Sequence, residues 1–147
     1  MKISFDASAI VAMIASDVGW TAISDWLIAD DPAASYSDFC WGEVQSALGN
    51  RVRSGEFTAE YVHGLIAEFK AYAVRWTFVR VTSADIDDAT HMVADFSLGL
   101  RLPDAIHIAV AQRLGLTLVS TDIRQVRAAA TLGIAAINPL HTDGTHS

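Results

Sequence analysis

Apolar positions along the chain alternate between short strand-like runs and longer helical patterns. The short runs predict five strands, which read KISFD, ASYSD, TFVRV, TLVST and IAAIN. Between them, apolar residues recur at the three- and four-residue spacing of amphipathic helices, and Gly49 and Gly115 fall near predicted helix ends. Strands separated by helices in this way predict an α/β fold: a three-layer α/β/α sandwich around a central, mainly parallel five-stranded sheet.

The pattern runs without a repeat, a low-complexity stretch or a linker. A chain of 147 residues suits one domain with a substantial core. We therefore expect a single domain over residues 1–139 and a polar, flexible tail at residues 140–147. The longest apolar run, Ala9–Ala15, is too short to cross a bilayer and lacks the flanks of a secretion signal. These features favour a cytoplasmic protein without a membrane partner.

Composition narrows the classes of function. Apolar residues make up 52% of the chain, which indicates a large interior or an apolar surface covered by a partner. Cys40 is the single cysteine, so a disulfide framework and a CxxC zinc site are excluded. The net charge of -7 argues against a broad basic face for nucleic acid. An RNA substrate would need local arginines and bound cations to offset the repulsion.

Two acids close predicted strands. Asp6 ends the first strand in FDASA, and Asp122 ends a later one in LVSTD. Taken alone, each is best interpreted as a helix N-cap, and Gln125 completes a capping-box pattern with Asp122.

Two further acids lie on predicted helices. Glu43 follows the second strand and lies beside an apolar stripe, although a surface position is the commoner case. Asp104 stands in the first turn of its helix behind Pro103, where the helix dipole alone could account for it. Its alignment with Ile108 and Ala111, however, points it toward packed apolar surface, where a lone carboxylate needs a cation or donors.

The four acids are more informative together. Ligands of an open parallel sheet bind beyond the carboxyl ends of its strands, and all four acids can reach that edge. Carboxylates gathered there repel one another unless divalent cations lie among them, and oxygen ligands suit Mg²⁺ or Mn²⁺ better than zinc. Such ions can activate water for attack on a phosphodiester. The chain also lacks the GxSxG, GxxxxGK[ST] and GxGxxG motifs of other chemistries.

The span from Lys2 to about Pro139 resembles a PIN domain, and more closely the VapC-type toxins of type II toxin-antitoxin systems. Four short motifs in order carry the resemblance, namely FDASA, WGEVQSAL, LPDAIHIAVA and LVSTD. It implies a Mg²⁺- or Mn²⁺-dependent endoribonuclease that is inhibited by a cognate antitoxin protein and is commonly a homodimer. The catalytic and metal-binding residues it implies are Asp6, Glu43, Asp104 and Asp122.

The resemblance extends to hydroxyl residues near the acids. Ser8 and Ser120 match positions that support the acids or their waters. Ala7 departs from the family pattern, in which a hydroxyl residue often follows the first acid, so Ser8 is left to provide that contact.

Three arginines are candidate contacts for RNA phosphates or for the antitoxin. Arg101, Arg124 and Arg127 lie close in sequence to Asp104 and Asp122. Arg124 and Arg127 can equally be solvated helix residues, which is the more common situation.

Other acidic α/β proteins fit the sequence less well. A phosphorelay receiver needs an adjacent acidic pair and a late lysine, and a haloacid-dehalogenase-type phosphatase needs DxD where this chain has Asp6-Ala7-Ser8. A PIN-like module that binds RNA or protein without catalysis remains an alternative. The target RNA and the number of metal ions stay open at this stage.

Overall fold

The computed structural model describes residues 1–141 of the chain. Its five strands are β1 (Lys2–Phe5), β2 (Ala33–Ser37), β3 (Thr77–Val79), β4 (Thr117–Val119) and β5 (Ala136–Ile137). Its α-helices are α1 (Ala7–Ile14), α2 (Trp20–Asp30), α3 (Asp38–Arg53), α4 (Ala59–Tyr72), α5 (Ser83–Ala94), α6 (Leu102–Leu114) and α7 (Ile123–Thr131). Single turns of 3₁₀ helix cover Phe96–Leu98 and Pro139–His141. All five predicted strands are therefore present.

The strands form one sheet in the order β3-β2-β1-β4-β5, with every neighbouring pair parallel. Ser4 pairs with Ser35 on one side and with Leu118 on the other. From β1 the chain builds outward to β2 and β3, and it later returns to the other side of β1 with β4 and β5. The strand order thus reverses between β1 and β4. In open parallel sheets, ligands typically bind beyond the carboxyl ends of the strands at such a reversal.

Helices cover both faces of the sheet. Leu118 and Val119 are adjacent in β4, so their side chains point to opposite faces. Val119 belongs to an apolar cluster with residues of α1 to α4, whereas Leu118 packs with residues of α5, α6 and α7. This arrangement confirms the three-layer α/β/α sandwich expected from the sequence.

Helix α6 is anchored at its far end by a buried ion pair with α5. Asp85, which is fully buried, accepts hydrogen bonds from Nε and Nη2 of Arg113 at 2.8 and 2.9 Å. Its second oxygen also accepts from the Thr82 backbone N–H, and Arg113 donates to the Arg80 carbonyl. The last turn of α6 is therefore fixed against the start of α5.

The chain continues past the predicted domain boundary at residue 139 into a short helical turn. Leu140 and His141 belong to this turn, and the Leu140 N–H donates to the Asn138 side chain at 3.0 Å. The remainder of the predicted tail, residues 142–147, lies outside the described residues. Within residues 1–141, none of the helices has both the length and the apolar character needed to cross a membrane.

Candidate active site

Asp6 is the central acid of the sheet edge. It follows β1 directly, caps the N-terminus of α1 through the Ala9 N–H, and is only 4% exposed. The Ser8 hydroxyl donates to its Oδ1 at 2.7 Å, and Ser120, at the end of β4, lies 2.6 Å from its Oδ2. Burial raises the pKa of Asp6, while His107 and the serine hydroxyls oppose that rise. Asp6 is thus a buried carboxyl that resists ionisation.

Ser120 joins Asp6 to two other parts of the edge. Its Oγ lies 2.6 Å from Asp6 Oδ2 and 2.9 Å from Gln125 Oε1, and it accepts from the Asp122 N–H at 3.0 Å. A serine hydroxyl has one proton, so it cannot donate to both oxygens. The network is complete when Asp6 itself carries a proton and donates it to Ser120, which agrees with its raised pKa.

Asp122 caps α7, as predicted. Its Oδ1 accepts from the Arg124 N–H at 2.9 Å and from the Gln125 N–H at 3.4 Å. The reciprocal half of the capping box is wrong, because the Gln125 side chain does not return to the Asp122 N–H. Ser120 already satisfies that N–H, and the buried Gln125 amide instead donates to the Asp104 carbonyl at 3.1 Å.

Asp104 lies in the first turn of α6, behind Pro103. Its side chain is largely buried, in line with its predicted alignment with Ile108 and Ala111. Its Oδ2 accepts from the Arg101 N–H at 3.4 Å and lies 3.6 Å from Arg101 Nε. The Gln125 bond to its carbonyl fixes this turn of α6 to α7, beside Ser120 and Asp122.

Glu43 contacts a histidine that sequence reasoning missed. Nε2 of His107, which is 5% exposed, lies 2.5 Å from Glu43 Oε1. The Phe39 ring, one turn before Glu43 on α3, meets the imidazole edge to face at 5.5 Å. His107 is one of five histidines scattered along the sequence. Its position three residues after Asp104, on the same side of α6, was the available signal.

Electrostatic effects join Glu43 to Asp6. His107 interacts with the charge of Asp6 as well as contacting Glu43. Burial raises the pKa of the neighbouring Cys40 thiol well above its ordinary value, and the charges of Asp6 and Glu43 raise it further. Hydrogen bonds and charge interactions therefore connect the positions of all four acids (Asp6, Glu43, Asp104 and Asp122), which we call the site acids.

The fit of a metal ion depends on donor chemistry and on side-chain orientation. Within the described part of the chain, no three carboxylate, imidazole or thiol groups are placed as a ready set of metal ligands. The donors themselves suit a hard divalent ion, since all four site acids offer carboxylate oxygens. The side chains of Glu43, Asp104 and Asp122 are partly exposed, whereas Asp6 is buried and is held by Ser8 and Ser120.

The three candidate arginines are exposed, and two of them lie beside site acids. Arg101 Nε is 3.6 Å from Asp104, and Arg124 Nε is 3.9 Å from Asp122. Arg124 and Arg127 also line a surface pocket of about 360 Å³ between α7 and the turn at Phe96–Leu98. Exposed pairs of this kind contribute little to stability, so these guanidinium groups are available to a ligand.

A larger cavity lies elsewhere on the surface. It has a volume of about 1110 Å³ between α2, α7 and β5, and its lining within residues 1–141 includes Trp26, Val126 and Ile137 but none of the site acids. We assign the candidate active site to the acid edge because that edge coincides with the reversal of strand order and carries the converging polar groups.

A parallel α/β domain with acids gathered where its strand order reverses is the class of protein that the fold and the site define. The family model described as PIN domain matches residues 3–131, and the chain belongs to this family. The resemblance drawn from the four motifs is thereby confirmed.

Individual proteins are similar to this chain in sequence or in fold. The chain is 34% identical over 86 residues to ribonuclease VapC3 of Mycobacterium tuberculosis, a match that covers 58% of each chain. The crystal structure of VapC20 from M. tuberculosis, described as a sarcin-ricin loop cleaving toxin, superposes with a TM-score of 0.71 at 18% identity, covering 94% of this chain and 100% of that one. A toxin-antitoxin complex from Klebsiella pneumoniae gives a TM-score of 0.65 at 17% identity, covering 94% and 98%.

Proposed function

We propose that this protein is a metal-dependent endoribonuclease and the toxin of a toxin-antitoxin pair. The observation that carries the proposal is the network in which Ser120 and Gln125 connect Asp6, Asp122 and Asp104 at the strand reversal. Membership of the PIN family and the similarity to ribonuclease VapC3 support the same activity. The match covers 58% of that relative's length, so activity, substrate and partner are all proposals here.

The site acids would hold Mg²⁺ or Mn²⁺. Such an ion, when bound, supplies an activated water and neutralises charge on the phosphodiester. Asp6 would contribute the fixed carboxylate, because Ser8 and Ser120 set its orientation. Glu43, Asp104 and Asp122 would supply the remaining carboxylate oxygens. The chain needs no side-chain nucleophile for this chemistry.

A cleavage assay tests the proposal directly. Purified protein, freed of any bound partner, is incubated with a mixture of structured and single-stranded RNAs in Mg²⁺, Mn²⁺ or EDTA. We expect internal cleavage in either metal and none in EDTA. Mn²⁺-binding protein that cleaves none of the RNAs but retains them would favour the non-catalytic binding module.

Arg124 and Arg127 are proposed to bind an RNA phosphate beside the scissile bond. The association constant K for single-stranded RNA falls as the salt concentration rises. Replacing either arginine with glutamine should reduce the magnitude of the slope of log K against log salt concentration by about 0.7 per lost contact. Fluorescence anisotropy on the non-cleaving Asp104→Asn background measures this slope. Arg75→Gln is the matched control, since it removes the same charge at the amino-end edge of the sheet, just before β3. Equal slopes for all three variants would contradict the assignment.

An antitoxin is the proposed protein partner. The chain is similar in fold to a chain of the toxin-antitoxin complex from K. pneumoniae. Arg101 and Arg124 are exposed beside site acids and could pair with a carboxylate of an antitoxin segment that enters the site. A homodimer and a cytoplasmic location are part of the same proposal. A small DNA-binding-type protein encoded immediately upstream would support it.

A further inference from the structure

His107 is buried between two parts of the site and contacts Glu43 across two helices. Its Nε2 lies 2.5 Å from Glu43 Oε1, while Phe39 packs against its ring at 5.5 Å. Phe39 and Glu43 are one turn apart on α3. The His107 imidazole therefore packs against the Phe39 ring and directs its Nε2 toward the Glu43 carboxylate. The two residues of this contact lie on helices, His107 on α6 and Glu43 on α3.

Glu43 needs such a contact more than the other acids do. Its side chain is 31% exposed, and its one hydrogen bond identified within residues 1–141 is the contact with His107. A glutamate has three rotatable bonds, and fixing a side chain of this kind costs conformational entropy. Asp6, Asp104 and Asp122, by contrast, are short and accept hydrogen bonds from nearby backbone N–H groups.

We infer that His107 is a positioning residue, which donates its Nε2 hydrogen to Glu43 and holds that carboxylate in the site where a divalent cation binds. The inference rests on the proposed function and goes beyond it, because it assigns a role to a side chain outside the four acids. One helix then performs two tasks: α6 presents Asp104 from its first turn and fixes Glu43 of α3 through the next turn.

Two amide variants separate hydrogen bonding from packing. The side-chain nitrogen of glutamine can occupy the place of His107 Nε2, whereas that of asparagine is too short to reach it. Mn²⁺ affinity, measured by titration calorimetry and by the electron paramagnetic resonance signal of free Mn²⁺, is the readout besides cleavage. Loss of a residue that hydrogen-bonds a metal ligand typically costs about 10- to 100-fold in metal affinity. We expect that loss for His107→Asn and recovery to within about 3-fold of wild type for His107→Gln.

A double-mutant cycle shows whether the effect passes through Glu43. On a Glu43→Gln background, His107→Asn should weaken Mn²⁺ binding by less than about 3-fold further, because the carboxylate it would position is gone. The exposed His63→Gln serves as the control and should bind Mn²⁺ as the wild type does. Thermal unfolding of each variant in EDTA verifies that the folded state is being compared.

The outcomes are distinct. Wild-type affinity in His107→Asn, an equal defect in His107→Gln, or a full effect of His107→Asn without Glu43 would each overturn the positioning role while leaving the proposed function intact. A wild-type protein that neither binds Mn²⁺ nor cleaves RNA would overturn the proposed function itself.

Discussion

Asp6→Asn is expected to abolish RNA cleavage while making the metal-free protein more stable. A residue that only hydrogen-bonds a metal ligand typically contributes about 10- to 100-fold, so loss of the most rigid of the proposed ligands should cost more than 100-fold in kcat/KM. Asparagine preserves the shape of the side chain but offers one neutral oxygen in place of a carboxylate. The loss is measured as single-turnover cleavage in saturating Mn²⁺.

The gain in stability follows from the proton count around Ser120. With Asp6 ionised, one hydroxyl proton faces two acceptor oxygens, at 2.6 and 2.9 Å. An asparagine amide can donate to Ser120, which then donates to Gln125, so each group has a partner. Relief of about 1 kcal/mol would raise Tm by roughly 2–4 °C in a domain of this size.

The pH dependence of the unfolding free energy independently predicts that Asp6→Asn is stabilising. Burial raises the pKa of Asp6 above its ordinary value of 3.8. The stability that its protonated form contributes is present below that value and is lost as the pH rises through the folded-state pKa. In EDTA, the advantage of Asp6→Asn in unfolding free energy should therefore grow from pH 4 upward and then level off.

Asp95→Asn is the matched control for this experiment. Asp95-Phe96-Ser97 repeats the Asp6-Ala7-Ser8 arrangement, in which a capping acid accepts from a serine two residues later, but Asp95 is exposed. Its replacement should change stability by less than about 0.5 kcal/mol and leave cleavage unchanged. An Asp6→Asn protein that still cleaves RNA would exclude Asp6 from the site, and one that gains no stability in EDTA would contradict the burial effect.

The sequence predicted the sheet edge well because two local signals coincide there. Asp6 and Asp122 directly follow strands, and parallel strands end at a common edge, so both positions follow from the strand pattern alone. Glu43 and Asp104 required helix periodicity in addition, since only the face they occupy directs them toward that edge.

Long-range contacts could not be read from the same patterns. The Gln125 side chain fits a local capping box in the sequence. In the structure, Ser120 already accepts from the Asp122 N–H, and Gln125 donates to the Asp104 carbonyl on α6 instead. A four-residue motif shows neither of these partners. His107 meets Glu43 across 64 positions of sequence, and its role depends on how α3 and α6 approach each other. Periodicity indicates which face of a helix is buried, but it does not identify the residue opposite.

Arg113→Met is expected to produce the largest loss of stability among the variants considered. It leaves the fully buried Asp85 without its cation, and breaking a buried pair costs about 3–5 kcal/mol. Because the Arg113 side chain is one-third exposed, we expect the low end, about 3 kcal/mol. Urea unfolding measures the difference. Arg53→Met, which removes an exposed arginine from the last turn of α3, is the control and should change stability by less than about 0.5 kcal/mol.

Lowering the pH and adding a second substitution both test whether the unpaired charge of Asp85 causes the loss of stability in Arg113→Met. Burial alone would raise the pKa of Asp85, but hydrogen bonds from Arg113 and Thr82 outweigh it and hold that pKa below its ordinary value of 3.8. The stability gained from the ionised pair is present above that value and is lost as the pH falls through the folded-state pKa. The loss of unfolding free energy in Arg113→Met should therefore shrink toward pH 3. At pH 7, adding Asp85→Asn to Arg113→Met should recover part of that loss. A deficit independent of pH would assign the loss to packing. Because Arg113 anchors the end of α6 opposite Asp104 and His107, cleavage well below the lowered Tm should stay near the wild-type rate.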